Sequence, residues 1–110
     1  MINVNIVRDH SGFIQHFSTE GHAGFDEQGQ DIVCAAVSVT AYTAVGALED
    51  LAGIKDCHKV EDGFISCNMP LDITEEQKKT AGIILETMVI GFRQIELGYG
   101  EFLKVMEEEV

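Results

Sequence analysis

Two copies of one pattern, a pair of short strands followed by a long helix, constrain what this 110-residue chain can fold into. In the first copy, residues 2–7 alternate apolar and polar side chains, residues 9–12 read DHSG as a turn, and residues 13–19 suit a second strand. The alanine- and valine-rich residues 31–51 then favour a helix, and Gly53 is placed to end it. The first half therefore predicts a β-hairpin followed by one long helix.

The second copy is equally clear in outline. Residues 57–60 and 64–69 suit two strands, and the EDG at residues 61–63 between them is a strong hairpin turn signal. Residues 74–77 read TEEQ, the spacing of a capping box, and begin a helix that we expect to end at Gly98. Its predicted core-facing stripe comprises Ala81, Ile84, Leu85, Met88, Phe92 and Ile95.

The end of the chain completes a single predicted domain, residues 1–110. Residues 102–106 suit a last strand, and the three glutamates at 107–109 are expected to form a solvated end. The order strand, strand, helix, strand, strand, helix, strand predicts an α+β fold of two layers. Two long helices should cover one face of a mostly antiparallel sheet.

Charge and composition exclude several classes of function. With 7 basic against 19 acidic residues, the formal net charge of -12 repels nucleic-acid phosphate and anionic lipid and favours basic partners. A solubilising role alone explains this charge equally well. The longest uncharged apolar run, residues 32–48, is shorter than the ~20 residues that a bilayer requires, so we expect a buried helix and no membrane span. Residues 1–12 lack the features of a secretory signal, which predicts a cytoplasmic protein.

A histidine and a cysteine flank the glycine-rich segment between the first hairpin and the first helix. If Asp31 caps that helix, its carboxylate accepts the N–H of Val33 or Cys34, and Cys34 falls in the first turn. The positive end of a helix favours a thiolate there. His22 closes the preceding strand, and the glycines after it allow the chain to fold back so that imidazole and thiol meet. A small core cysteine and a solvated histidine are the competing interpretation.

These residues carry a family resemblance. Residues 21–25 read GHAGF and residues 29–38 read GQDIVCAAVS, which resembles the GHAG and DIVCAAVS signature of the ribosomal-processing cysteine proteases, the Prp family. The resemblance extends over the whole chain. It implies that His22 is the catalytic histidine and Cys34 the nucleophile. It also implies a homodimer that removes the N-terminal extension of a large-subunit ribosomal protein precursor, cutting after paired aromatic residues, with no cofactor.

Acyl transfer is the chemistry that these residues permit. The Cys34 thiolate attacks the scissile carbonyl, His22 protonates the leaving amine, and N–H groups at the helix start, including that of Cys34, are expected to stabilise the oxyanion. Asp31 either orients His22 or simply caps the helix, and the Ser38 hydroxyl either reaches the site or bonds to the helix backbone.

The segment between His22 and the helix is long for a strand-to-helix connection. It is either a lid that orders over substrate or an ordinary mobile loop. The residues that would take part in a lid or substrate loop are Gly21, Ala23, Gly24, Phe25 and Gly29.

The remaining cysteines raise weaker alternatives. Cys57 and Cys67 lie nearly opposite each other in the second hairpin, together with His58, but the sequence has no CxxC and offers too few ligands for a closed zinc site. We expect packed free thiols and no metal. A non-enzymatic acidic module that binds ribosomal proteins is the alternative function, and thiol-based redox sensing is a third, which requires a resolving cysteine near Cys34.

Overall fold

The structure, a computed structural model, describes residues 1–27 and 30–110. In chain order its elements are β1 (Ile2–Arg8), β2 (Ile14–Glu20), α1 (Ile32–Ala52), β3 (His58–Glu61), β4 (Phe64–Asn68), α2 (Glu75–Tyr99) and β5 (Leu103–Glu109). The predicted element order and the α+β class are confirmed. Most predicted boundaries agree with the observed ones within one or two residues.

The five strands form one sheet in the order β3-β4-β2-β1-β5. Three neighbouring pairs are antiparallel, whereas β1 and β5 are parallel. The parallel pair arises because α2 carries the chain from β4 across the sheet to the far edge, a connection that a tight turn cannot make. The sheet is therefore mixed, with the antiparallel majority that was predicted.

The core lies between one face of the sheet and the two helices. Ile2, Val4 and Ile6 alternate along β1 and are almost completely buried, as expected when one strand face points to the core. The helices bury matching stripes that consist of Val33, Val37, Ala41, Ala44, Val45, Leu48 and Ala52 on α1 and Ala81, Leu85, Met88, Val89 and Phe92 on α2.

α1 is buried on one face only, as in a core helix that packs on one side of a sheet and leaves its other face exposed. The helix has 21 residues, and among the described residues it is the one helix long and apolar enough to pass a length-and-composition test for a membrane span. A core helix passes the same test. Its apolar side chains that face outward include Val39, Tyr42 and Leu51.

The caps of both helices follow the sequence signals. Asp31 caps α1, and Gly53 ends it in the left-handed conformation at φ 68°. Thr74 and Gln77 form the reciprocal capping box that was predicted for α2.

The predicted end of α2 at Gly98 is wrong. The helix continues through this glycine to Tyr99. A helical glycine costs only about 1 kcal/mol relative to alanine, and the Tyr99 ring packs edge-on against Phe25 with the centroids 5.6 Å apart. Packing of the last turn therefore outweighs the local stop signal.

The predicted last strand, residues 102–106, ends too early, because β5 continues to Glu109, although residues 107–109 are exposed as expected. Glu107 lies opposite Ile6 in the parallel ladder, and its carboxylate accepts hydrogen bonds from Arg8 at 2.9 Å and Arg93 at 2.6 Å. The guanidinium group of Arg93, which has the larger effect, and that of Arg8 hold the pKa of Glu107 below its ordinary value. The backbone pairing of β5 with β1, together with these ion pairs, stabilises residues 107–109 as part of the strand.

Candidate active site

Cys34 lies in the first turn of α1, at the third helical residue. Asp31 Oδ1 accepts the N–H of Val33 at 2.9 Å and that of Cys34 at 3.0 Å. This cap fixes the start of the helix, and the thiol is partly exposed at the positive end of the helix.

The second oxygen of Asp31 holds the segment that precedes the helix. Asp31 Oδ2 accepts the N–H of Phe25 at 2.9 Å and that of Asp26 at 3.2 Å. Burial alone raises the pKa of Asp31, but the four N–H donors favour the carboxylate more strongly, so this pKa lies below its ordinary value. Asp31 is thus a helix cap and a loop anchor. Among the described residues it makes no hydrogen bond to His22.

His22 follows β2 and stands against the turn of the second hairpin. Gly21 donates its N–H to the carbonyl of Gly63 at 2.8 Å, with φ 102° at Gly21. A Cβ at Gly63 would lie only 2.8 Å from His22 Nε2. The ring is therefore in close contact with the backbone of this turn while it remains exposed to solvent.

His22 and Cys34 line one pocket of about 380 Å³. The Cys34 Sγ accepts a hydrogen bond from the N–H of Ala23 at 3.3 Å. Within residues 1–27 and 30–110, no hydrogen bond joins the imidazole to the thiol. The structure therefore brings the two predicted residues to one cavity without placing them in direct hydrogen-bond contact.

The expectation that the N–H of Cys34 is available to an oxyanion is wrong for this conformation. That N–H donates to Asp31 instead, because the capping carboxylate is the nearest acceptor in the first turn. The donor that points at the sulfur is the N–H of Ala23, in the segment that precedes the helix. The sequence shows no signal for this contact, because it depends on how the segment folds back.

The described part of the predicted lid or substrate loop is held from two sides. Ala23 is buried, Gly24 has φ 73°, and Asp31 binds the backbone after it. The ring of Phe25 packs edge-on against Tyr99 and Phe102, with centroid distances of 5.6 and 5.2 Å. Gly29, also assigned to this loop from the sequence, lies outside the described residues.

Ser38 lines the same pocket one helical turn after Cys34. In the described part of the chain its hydroxyl makes no bond to the helix backbone, in contrast to Thr40 and Thr43, which bond to the carbonyls four residues earlier. Tyr42 continues this face by another turn and was missed, although the spacing of four residues from Ser38 is a signal that the sequence contains.

The second hairpin supplies a wall of the pocket that was not predicted. Residues 60–65 line it because β4 pairs with β2, which brings the turn beside His22. Carboxylates at Asp26, Glu61 and Asp62 contribute negative charge to the cavity. Its apolar lining comprises Ile2, Val37, Tyr42, Val60, Phe64 and Ile65.

The cysteines, histidines and carboxylates do not gather into a metal site in the part of the chain that the structure describes. No group of three or more His, Cys, Asp or Glu side chains is placed to hold a metal ion in the two described ranges. The three cysteines are free thiols, and Cys34 is separate from the other two, which contact each other.

Comparisons with known proteins agree with the signature in the sequence. The family model described as "Cysteine protease Prp" matches residues 1–104. The ribosomal processing cysteine protease Prp of Bacillus subtilis is 34% identical over 107 residues, which is 96% of each chain. The Staphylococcus aureus protein of the same name is 28% identical over 105 residues, or 96% of this chain and 97% of the relative.

Solved structures show the same architecture. The S. aureus Prp protease with a covalently linked product peptide superposes with a TM-score of 0.88 at 27% identity, covering 98% of this chain and all of that one. A second S. aureus Prp structure, with a substrate peptide, gives 0.82 at 26% identity with the same coverage. A family match over nearly the whole chain, together with these relatives, leads to one assignment: the chain belongs to the Prp family of ribosomal-processing cysteine proteases.

Proposed function

We propose that this protein removes the N-terminal extension of a large-subunit ribosomal protein precursor, with Cys34 as nucleophile and His22 as proton donor. The observation that carries the proposal is their common pocket. A thiol at the first turn of a helix and an exposed imidazole line one cavity open to a peptide. The S. aureus relative in complex with a covalently linked product peptide supports the same chemistry.

The reaction begins at the sulfur. The positive end of α1 and the N–H of Ala23 stabilise the Cys34 thiolate, which attacks the scissile carbonyl and forms a carbon–sulfur bond. In this proposal the N–H of Ala23 also donates to the developing oxyanion, a contribution of about 3–4 kcal/mol per donor in other proteases.

His22 completes the first step. As imidazolium it donates a proton to the leaving amine, and the carbon–nitrogen bond breaks to leave a thioester on Cys34. Water, deprotonated by the now neutral imidazole, hydrolyses this thioester and releases the acid product. The exposed ring of His22 needs to approach the substrate for these transfers, and catalytic contacts of this kind often tighten only when substrate binds.

Nearby groups support the dyad in this proposal. Asp31 acts as a positioning residue, because it holds both Cys34 and the segment that carries His22. Ser38 presents a hydroxyl to the pocket and is proposed to contact the bound peptide. The segment formed by residues 21–25 serves as the substrate loop.

The lining of the pocket fits the proposed substrate. Ribosomal proteins are basic, and the carboxylates of Asp26, Glu61 and Asp62, within a chain of net charge -12, attract such a peptide at low salt. The apolar wall formed by Val60, Phe64 and other side chains suits the aromatic residues before the cleavage point.

A homodimer in the cytoplasm is also part of this proposal. Val39 on α1 and Ile83 and Ile90 on α2 are 59–66% exposed, beside a groove of about 360 Å³ between the helices. A second copy of this chain is the occupant that we propose for this apolar face, since the same face of its partner would be equally apolar. Measurement of the mass in solution, with Val39→Glu as the disrupting variant, tests this point.

Cleavage of a defined peptide tests the proposed activity. The purified protein is incubated with a peptide that bears the ribosomal extension, and the new N-terminus is determined. Cys34→Ala and His22→Ala should each reduce kcat/KM at least about 10³-fold with little change in the Tm. Cys57→Ala and His10→Ala are matched controls outside the pocket and should retain activity.

The outcome also distinguishes the alternative function. Normal cleavage by either dyad variant would exclude the proposed roles of His22 and Cys34. Binding of the peptide by the wild-type protein with no shortening would favour a non-enzymatic acidic module. Iodoacetamide should modify Cys34 faster than Cys57 or Cys67 if Cys34 is the activated thiol.

A further inference from the structure

A second pair of sulfur atoms lies in contact away from the proposed dyad. The Sγ atoms of Cys57 and Cys67 are 3.0 Å apart, about 1 Å farther than the ~2.05 Å of a disulfide bond. Both side chains are free thiols. The contact is held by the backbone, because Asn68 donates its N–H to the carbonyl of Cys57 at 2.9 Å and His58 pairs with Cys67.

The two thiols differ in exposure. Cys67 lies in β4 beside Phe17 and is 1% exposed, whereas Cys57 precedes β3 and is partly exposed. Burial, and to a smaller extent the neighbouring sulfur of Cys57, raises the pKa of the Cys67 thiol. A soluble oxidant therefore reacts first with Cys57, and the adjacent Cys67 is the resolving thiol.

We propose that Cys57 and Cys67 form a modification site, a dithiol that a hydroperoxide converts to a disulfide within the second hairpin. The inference does not depend on the proposed protease reaction. It pairs the resolving cysteine, Cys67, with Cys57 and not with Cys34.

The chemistry balances with one hydroperoxide molecule for each disulfide. The Cys57 thiolate attacks the terminal peroxide oxygen, the O–O bond breaks, and two electrons pass from sulfur to peroxide, which leaves a sulfenic acid and hydroxide, or an alkoxide where the oxidant is an alkyl hydroperoxide. The Cys67 thiol then attacks the sulfenic sulfur. The S–O bond breaks, the S–S bond forms, and the proton of Cys67 leaves with the hydroxyl group as water.

The disulfide would fasten the base of the hairpin that forms one wall of the pocket. It closes a ring over residues 57–67, which contains the turn whose Gly63 contacts His22. Because the two sulfurs already lie close together in the folded state, the bond mainly restricts the unfolded chain. For a ring of this size we expect a Tm increase of about 10 °C.

The test uses the full chain with Cys34→Ala, so that only the two paired thiols remain. After hydrogen peroxide treatment, both thiols should disappear, and intact mass should show the loss of two hydrogen atoms in a monomeric chain. Proteolytic mapping should recover linked peptides that contain Cys57 and Cys67. The Tm should rise, and dithiothreitol should restore the original value.

A matched variant separates this site from general oxidation. Cys57→Ser in the Cys34→Ala background keeps the size of the side chain but removes the bond, so peroxide should leave its Tm without an increase. Three results would overturn the proposal: two free thiols that persist after treatment, a mass gain of oxygen atoms in place of hydrogen loss, or a disulfide that joins two chains.

Discussion

Gly63→Ala should show whether the turn of the second hairpin positions the His22 ring, because its effect on activity can be measured apart from its effect on stability. Gly63 has φ 68°, and its carbonyl accepts the N–H of Gly21. An L-residue in this left-handed region costs about 1–2 kcal/mol, which corresponds to a Tm decrease of roughly 4–8 °C for each kcal/mol. The added methyl group would lie 2.8 Å from His22 Nε2 and 3.3 Å from Cε1.

The close approach of the added methyl group to the His22 ring should lower the activity. Ordinary van der Waals contact begins near 3.4 Å, so the ring has to move by at least about 0.6 Å from its 2.8 Å position. Since a misplacement of about 1 Å can cost on the order of 100-fold in rate, we expect kcat/KM for the extension peptide to fall about 10- to 100-fold. This loss equals about 1.4–2.7 kcal/mol of transition-state stabilisation.

Gly12→Ala is the matched control for this experiment. Gly12 has φ 89° in the turn between β1 and β2, and within the described chain a Cβ there would meet no atom closer than 4 Å. It should lower the Tm by a similar amount and leave kcat/KM within about twofold. If Gly63→Ala loses stability like Gly12→Ala but keeps full activity, the turn of the second hairpin does not position His22.

Two further predictions concern stability. The pKa of Asp31 is lower in the folded state, so its stabilising effect is complete above the unfolded-state value of about 3.9 and is lost as the pH falls through the folded-state value. The Tm of the wild type should therefore drop more steeply below about pH 4 than that of Asp31→Asn, and parallel curves would contradict the role of this carboxylate. Leu85→Ala, at a fully buried position, should cost about 2–5 kcal/mol in urea denaturation, whereas Leu97→Ala, at an 89% exposed position, should change stability by less than about 0.5 kcal/mol. Equal losses from the two leucine variants would show that the assigned core is incorrect.

Local signals predicted most of the elements. The Asp31 cap, the Thr74 and Gln77 capping box and the stop at Gly53 each depend on hydrogen bonds within a few residues, so a short window of sequence contains all of their partners. Gly98 shows the limit of this reasoning. Its local tendency to end α2 is outweighed by contacts of the last turn with Phe25, a residue more than seventy positions away in the chain.

The candidate site was predicted in identity but not in geometry. The resemblance of the GHAG and DIVC motifs to the Prp signature indicated His22 and Cys34, and the structure brings both to one pocket. The N–H of Ala23 directed at the sulfur and the turn against the imidazole were not predicted. Both depend on which strands pair, and pairing between distant strands leaves no periodic signal in the sequence.

The sequence by itself therefore determined the order of strands and helices, the caps, the acidic character and the two residues proposed to react, because each depends on side-chain chemistry or on near neighbours in the chain. Only the tertiary structure decided that β5 extends through its glutamates beside β1 and that the second hairpin forms a wall of the pocket. These features come from long-range strand register and from packing of the helices on the sheet, where the free energy depends on residues far apart in the sequence.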